Sequence, residues 1–572
     1  MRRKLPLALA GRNGGAARER YMIPAMTSVP ARTRERSAHA ENSWLDRSRA
    51  VLDAPALGRW LALAVFGAAF LLCALTFTTA SDGIVLGNDV VAYARSLARQ
   101  EPGALLNPHH LLFHPLAAAL DVCLGWLGNP RGMQRALAAH QGVSALGAGA
   151  AAAALFAFAR ELCGPLRAAL LSACFALCAG NWLYGSVGES YLPANAALLA
   201  LLACALRMRL GLRAENATPI AVCLLLALLL RQDSVLVVPA LFALLGARCA
   251  LRATAIAGAA ALAIYAGAWM LAAPGPHLLD WLRGLERSGL WGAVPDARAA
   301  RASLGLTAAA FNYVTWFDLS LGLMSIGLFA LPLLPPRHLT GGFARALAGL
   351  GLYALLHFAF FTWWQPGNME YATGRWVPLF LAAALLLAPD QRGWRALRQP
   401  MLLGSCAWLL WIGNSSSLIR PFRATEIALR AQHAIHLAGE HGAIVALDWQ
   451  QRYALWREEP AQRELIDASE LATRFDAASA AALRARIDVF LASGRRVVLT
   501  IDRVLPRKLK LPVLVDAALL EVLTRGLGTT EVRDEANEIY ALQLRPAGQE
   551  PGPAPNSAPA QAPAASSGAP AR

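Results

Sequence analysis

Lysine is almost absent: Lys4, Lys508 and Lys510 are the only three in 572 residues. The net charge of +16 is therefore arginine's. Most of it lies in short connectors and in the N-terminal tail, where membrane topology accounts for it, so nucleic acid is not an expected partner. The scarcity of lysine reflects base composition more than chemistry. Cysteine is sparse as well, nine in all, set singly in apolar segments as at Cys73, Cys174, Cys178 and Cys204. None stands at ligand spacing from a histidine, and none follows residue 415, which excludes a disulfide framework and a cysteine–histidine zinc site. They read as small buried hydrophobes. No apolar core leading to a cleavage site opens the chain, so residues 1–56 are expected as a basic, disordered cytoplasmic tail and not a signal peptide. No glycine-rich loop follows a candidate strand, which excludes a phosphate-cradling nucleotide site. No internal repeat of the inverted-repeat transporter kind is visible.

What the chain has in abundance is grease. Hydrophobic residues make up 56% of it, and its mean hydropathy is +0.41. Apolar runs long enough to cross about 30 Å of hydrocarbon recur, and a lipid-exposed backbone must satisfy its own hydrogen bonds, which favours helices. The first run is 60–80. Others lie near 136–159, 168–184, 190–206, 219–230, 234–247, 254–273, 320–335, 346–362, 376–389 and 400–413. Arginine-rich connectors at 160–167, 207–213, 247–252, 336–345 and 390–398 read as cytoplasmic, whereas 181–191, without Lys or Arg, reads as external. The alternation is consistent when residues 81–135 form one long external loop, with 111–127 as a juxtamembrane or re-entrant helix. The expected architecture is an all-α polytopic membrane bundle of about 11 transmembrane helices, spanning 57–415, N-terminus inside. Runs 219–230 and 234–247 are too short for perpendicular spans and read as a broken or re-entrant pair.

Past residue 415 the pattern changes. Segments 442–448, 495–502 and 538–544 read as buried strands, separated by helical stretches near 424–440, 477–493 and 511–525. A small extracytoplasmic α/β domain of three or four strands is expected over 416–546, followed by a disordered Pro/Ala-rich tail, 547–572.

Placed on this topology, Asp82, Asp89, His109, His110, His114, Glu189, Gln365, Glu370 and Arg375 gather at the external ends of spans. Arg231, Gln232 and Asp233 sit at the break of the short pair. Ionisable groups in membrane segments are functional candidates that face a cavity, and here they cluster on one side instead of lining a path through the bilayer. "GNDVVAY", "NPHHLLFHPLAAAL", "GSVGESYLPANAALLALL", "LLLRQDSVLVVPALFALL" and "FTWWQPGNMEYATGRWVPLFLA" occur in the order and sidedness of the GT-C superfamily of membrane glycosyltransferases, near the protein O-mannosyltransferases, and the chain resembles that superfamily over residues 55–415.

The resemblance implies an inverting glycosyltransferase of the bacterial inner membrane. It would move a sugar from a polyprenyl-phosphate donor to a glycan, lipid or protein acceptor on the periplasmic face. Asp89 falls on the family's first-loop acid. Many members carry paired acids there, whereas Asp89 follows Asn88. Independently of the family, such a transfer needs a base for the acceptor's proton and positive charge for the departing phosphate. A carboxylate desolvated at the interface suits the first task, and guanidinium forks suit the second. The candidates are Asp89 and Glu189 for catalysis, with Arg231, Arg375, Tyr93, Tyr191, His110 and Glu370 for substrate binding; Arg95 is a third phosphate candidate. Other readings stand beside these. Asp89 or Asn88 could cap the helix after it. Glu189 could be a carboxylate at a helix N-terminus. His110 and His114, spaced i, i+4, could ligate a divalent metal or be hydrogen-bonding hinges; no cofactor is firmly implied. Two other function classes remain open, a flippase or transporter for a lipid-linked glycan and a catalytically inactive scaffold of an envelope glycan pathway.

Overall fold

The computed structural model describes residues 55–76, 88–100, 104–129, 131–272, 341–364, 370–387, 394–415, 426–447, 464–468, 476–501, 517–533 and 539–549, with 281, 455 and 471 singly. The chain divides into Met1–Leu57, of which only the first turn of a helix is described, and Gly58–Arg572, which holds everything below. The expected span at 320–335 and both expected tails lie outside the described residues.

Helix α1 covers Pro55–Ala74, α2 Asn88–Arg99 and α3 Phe113–Trp126, with short 3-10 turns at Ala104–Leu106 and Pro108–His110 between the last two. Then follow α4 (Met133–Cys163), α5 (Pro165–Leu177), α6 (Ala179–Val187), α7 (Tyr191–Arg209) and α8 (Ala217–Leu230). A 3-10 turn at Gln232–Val237 leads into α9 (Val238–Leu245) and α10 (Ala247–Ala272). After α11 (Gly341–Trp364), a 3-10 turn at Glu370–Arg375 opens α12 (Trp376–Leu386), and α13 is Trp394–Asn414.

Among the described residues, five helices are long and apolar enough to span a membrane, and six if α5 and α6, bent by 63° at Cys178, are one broken span. They do not confirm the eleven crossings expected from the runs. The helix α8, the turn plus α9, and the turn plus α12 are apolar but shorter than the roughly 20 residues a perpendicular span requires. The runs at 219–230 and 234–247 fall on two short helical segments, Ala217–Leu230 and Gln232–Leu245, on either side of Arg231.

Burial sorts the helices. In α4 and α7, 72% of the apolar window is buried, against 17% in α1 and α10. The first two form the bundle's centre; the second two turn Trp60, Leu63, Leu71, Leu262, Met270 and Leu271 outward, where lipid in place of water makes apolar exposure costless. A glycine lets the central pair close up. A Cβ on Gly147 would stand 2.4 Å from the Pro193 nitrogen, the close backbone approach that small residues permit between membrane helices. The other end of the pair is pinned by Arg207, which forks onto Glu161 at 2.8–2.9 Å.

The C-terminal part comprises α14 (Glu426–Ala438), β1 (Ala443–Ala446), β2 (Glu464–Asp467), α15 (Ala477–Ala492), β3 (Val497–Thr500), α16 (Ala517–Thr524), β4 (Gly528–Arg533) and β5 (Ile539–Arg545). The five-stranded sheet runs β2-β1-β3-β5-β4, parallel across β2, β1 and β3 and antiparallel from β3 through β5 to β4. The three apolar strands read from the sequence are β1, β3 and β5. The sheet exceeds the expected three or four strands because both edges are amphipathic: β4 alternates half-buried and exposed residues, and β2 keeps only Ile466 buried. One buried apolar cluster holds Val90, Val91 and Ala94 of α2 together with Ala431, Ala434 and Leu437 of α14, Val498 of β3 and Tyr540 of β5. The sheet domain is thus packed into the same core as the first-loop helix.

Candidate functional site

The site begins with a helix that stops. Arg231 leaves α8 in extended backbone (φ −155°, ψ 125°), and a helix C-terminus carries carbonyls without intrahelical donors. The first loop supplies the donors: Leu112 N–H reaches the Leu229 carbonyl at 2.9 Å, and His110 Nδ1 lies 3.3 Å from the Leu230 carbonyl. Because a carbonyl only accepts, Nδ1 carries the proton in that contact. Two further donors, Gln232 Nε2 and Tyr265 OH, converge on the Pro108 carbonyl at 2.9 Å each. The 3-10 turn Pro108–His110 is therefore stitched to the helix break.

At that seam Arg231 is only 9% exposed. Its Nε and Nη2 donate side-on to Asp233 at 3.0–3.3 Å, and Nη1 donates to Ser190 Oγ at 3.4 Å. Its Cζ stands 4.0 Å from the centre of the Tyr191 ring, a cation–π distance of the kind that gains about 2 kcal/mol when desolvated. Ser190 Oγ also lies 3.1 Å from His110 Nδ1. Burial, followed by the positive charge of Arg231, holds His110 well below the usual imidazole value, so it is neutral at pH 7. His109 is lowered too, chiefly by burial.

Beside Arg231 a small polar cavity is lined by Tyr191, Asn195, Arg231, Asp233, Ser234, Tyr353, His357, Thr373 and Gly374. Asn195 Nδ2 donates to the Thr373 carbonyl at 3.3 Å, tying α7 to the late 3-10 turn. A Cβ on Gly374 would meet His357 Nε2 at 2.4 Å, so glycine is what lets the turn close over that imidazole. His357 is within electrostatic reach of Asp233, Arg231 and Arg375, which brings Arg375 into the same charge field; the Arg375 guanidinium also covers the Trp376 ring at 5.1 Å.

The structure therefore gathers Arg231, Tyr191 and His110 directly, and Arg375 through His357 and Gly374. Tyr93 packs edge-on to His114 with ring centres 4.3 Å apart and lies 6.1 Å from His110. Glu189 is buried at the corner between α6 and α7, with its carbonyl accepting from Ser144 Oγ at 2.6 Å. Of Asp89 and Glu370 the backbone is described and the side chain is not. Asp89 stands in the first turn of α2, and its neighbour Val90 is the atom group a Cβ on Gly188 would strike, at 2.6 Å from Cγ2. The chain at Asp89 and the chain at Glu189 thus run side by side. Asp82 and Gln365 lie outside the described residues. Arg95 lies on α2.

His114 stands edge-on to His110 with ring centres 6.1 Å apart. Its Nδ1 faces His140 Nε2 at 3.5 Å, and no cluster of three or more His, Cys, Asp or Glu placed for a metal occurs among the described residues. His110 contacts the Leu230 carbonyl and Ser190 Oγ. Sequence reasoning missed Ser190, Asn195, Tyr353, His357 and Thr373. His357 alone left a signal, an imidazole inside the long apolar run of α11. Arg135 of α4 makes a bidentate bridge to Asp121 of α3 at 2.9 Å.

No family model and no curated protein matches this sequence. Solved structures do. ArnT from Cupriavidus metallidurans bound to undecaprenyl phosphate superposes with a TM-score of 0.52 at 13% identity, covering 86% of this chain and 99% of that one. The Archaeoglobus fulgidus oligosaccharyltransferase, in a complex with Zn and sulfate, gives a TM-score of 0.48 at 12% identity over 84% of this chain and 73% of that one. At such identities the likeness is one of fold, and the first superposition carries it. The chain shares its fold with ArnT.

Proposed function

We propose that this protein is an inverting glycosyltransferase of the bacterial inner membrane, taking a sugar from a polyprenyl-phosphate carrier to an acceptor at the periplasmic face. The observation that carries the reading is Arg231: a guanidinium buried at a helix break, in a polar cavity within an apolar bundle, where the first loop, the α6–α7 corner and the late 3-10 turn converge. Its fold neighbour ArnT was solved with undecaprenyl phosphate bound, and a lipid phosphate is the ligand such a site suits.

In this reading Arg231 and Arg375 hold the donor phosphate and stabilise the charge that grows on it as the bond to C1 breaks. Asp89 takes the acceptor's proton while the acceptor oxygen attacks C1 from the opposite face, and Glu189 positions donor or acceptor. Tyr191 keeps the Arg231 fork oriented. The sheet domain, packed against α2, covers the acceptor beside Asp89.

The test is to incubate the purified protein with labelled polyprenyl-phosphate sugars and membrane extract. Label passing from lipid to acceptor supports the reading, with Asp89→Ala lowering the rate by about a hundredfold or more at unchanged thermal stability. Lipid moved across the bilayer with no product would make the protein a transporter. Neither event would leave a scaffold, and full turnover in Asp89→Ala would remove Asp89 from the mechanism.

A further inference from the structure

We propose that Asp233 makes this site discriminate between two lipid phosphates, favouring the sugar-bearing phosphodiester over the phosphomonoester that remains after transfer. The inference rests on the reading that Arg231 holds the donor phosphate.

Asp233 is the acid in the first turn of Gln232–Val237. Its carboxylate lines the cavity and takes the Nε/Nη2 edge of Arg231 with both oxygens, at 3.0–3.3 Å. That is the same forked edge a phosphate would use. An anion entering the cavity meets one lining guanidinium, Arg231, and one carboxylate, Asp233, with the imidazole of His357 in electrostatic reach of both and of Arg375. His109, from the first loop, faces Arg231 and Asp233 as well.

The charges of the two ligands differ. A phosphodiester carries about one negative charge, whereas a phosphomonoester carries about 1.5 to 2 near neutral pH. With Asp233 already set against Arg231 in the cavity, the ligand of lower charge is the better match. The monoester brings surplus charge against Asp233 at the distance of a hydrogen-bonded neighbour, in a site with little water to screen it. Transfer turns the first ligand into the second, so the same carboxylate that tolerates the donor expels the spent carrier. Specificity here comes from an unfavourable contact with the wrong ligand.

The probes are undecaprenyl phosphate and its monomethyl ester, the simplest lipid phosphodiester, titrated against the purified full-length protein in nanodiscs. The unmodified protein should bind the methyl ester about tenfold more tightly. Equal or tighter binding of the monoester overturns the proposal without any variant. In Asp233→Asn, undecaprenyl phosphate should bind about tenfold more tightly, with the methyl ester changed less than about threefold, so that the preference disappears. Asp233→Glu should keep it. Asp233→Asn weakening both ligands alike would make Asp233 a structural staple and overturn the proposal. Arg231→Ala is read separately: loss of both ligands supports a phosphate site at Arg231 whatever Asp233 does, and undiminished binding of both removes that site and the functional reading with it.

Discussion

Arg231 engages three different partners with three different faces of one group: a carboxylate on its Nε edge, a hydroxyl on Nη1 and a ring beneath its plane. A lysine ammonium lacks the forked edge for the carboxylate and the flat face for the ring. Arg231→Lys is therefore expected to lower transfer by about tenfold to a hundredfold, and Tyr191→Phe, which keeps the ring, to cost far less than Tyr191→Leu; kinetics with the labelled donor decide both. His110 gives a pH signature. Its folded-state value lies well below the usual 6.5 because of burial and Arg231, so below that pH the unfolded chain binds more protons than the folded one. Its stabilising contribution is complete above pH 6.5 and declines as pH falls through that value toward the folded one. Thermal midpoints should be level from pH 7 upward and drop on acidification, with a shallower slope in His110→Asn; a midpoint that rises on acidification contradicts this. At this scale the sequence showed charge and composition but not direction. Arg231 was legible because an arginine between two short apolar runs has few ways to be accommodated. His114 was not, since i, i+4 spacing says nothing when Pro108–His110 is a 3-10 turn and the helix begins only at Phe113.

Among elements, the seam between α8 and the first loop does the positioning. The break at Arg231 leaves the Leu229 and Leu230 carbonyls to be satisfied by Leu112 and His110, which fixes the loop's register against the bundle. A cysteine pair at Leu112 and Leu229, in a background freed of native cysteines, should cross-link under mild oxidation; absence of the cross-link would contradict the seam. The centre of the bundle rests on close approach. Gly147→Ala places a methyl 2.4 Å from the Pro193 nitrogen, against backbone that cannot rotate aside, so a loss of about 1–3 kcal/mol is expected, seen as a lower thermal midpoint. The long helices and the apolar strands were readable as periodic runs. The number of spans was not, because short helices that pack inside a bundle and helices that cross it share one composition. Nor were β2 and β4, whose alternation at the sheet's edges lacks an apolar run.

Across the whole molecule, the sheet domain and the first-loop helix share one buried cluster. Val91, 3% exposed within it, is the place to test that coupling. Val91→Asp buries an uncompensated carboxylate and should loosen the sheet domain and α2 together, raising hydrogen exchange over 88–100 and 426–447 in parallel; exchange confined to one of them would mean the two are independent. The fold shared with ArnT was legible only through the order of several weak motifs, each of which alone fits many membrane proteins, and polar convergence in space has no sequence pattern at all.

The most direct test of the account is photolabelling with undecaprenyl phosphate carrying a diazirine next to its phosphate. Irradiation of the purified protein should leave adducts in the segments 189–198, 231–234, 353–357 and 373–375, abolished by excess undecaprenyl phosphate and by Arg231→Ala. Competable adducts found only elsewhere, with these four segments unmarked, would contradict it.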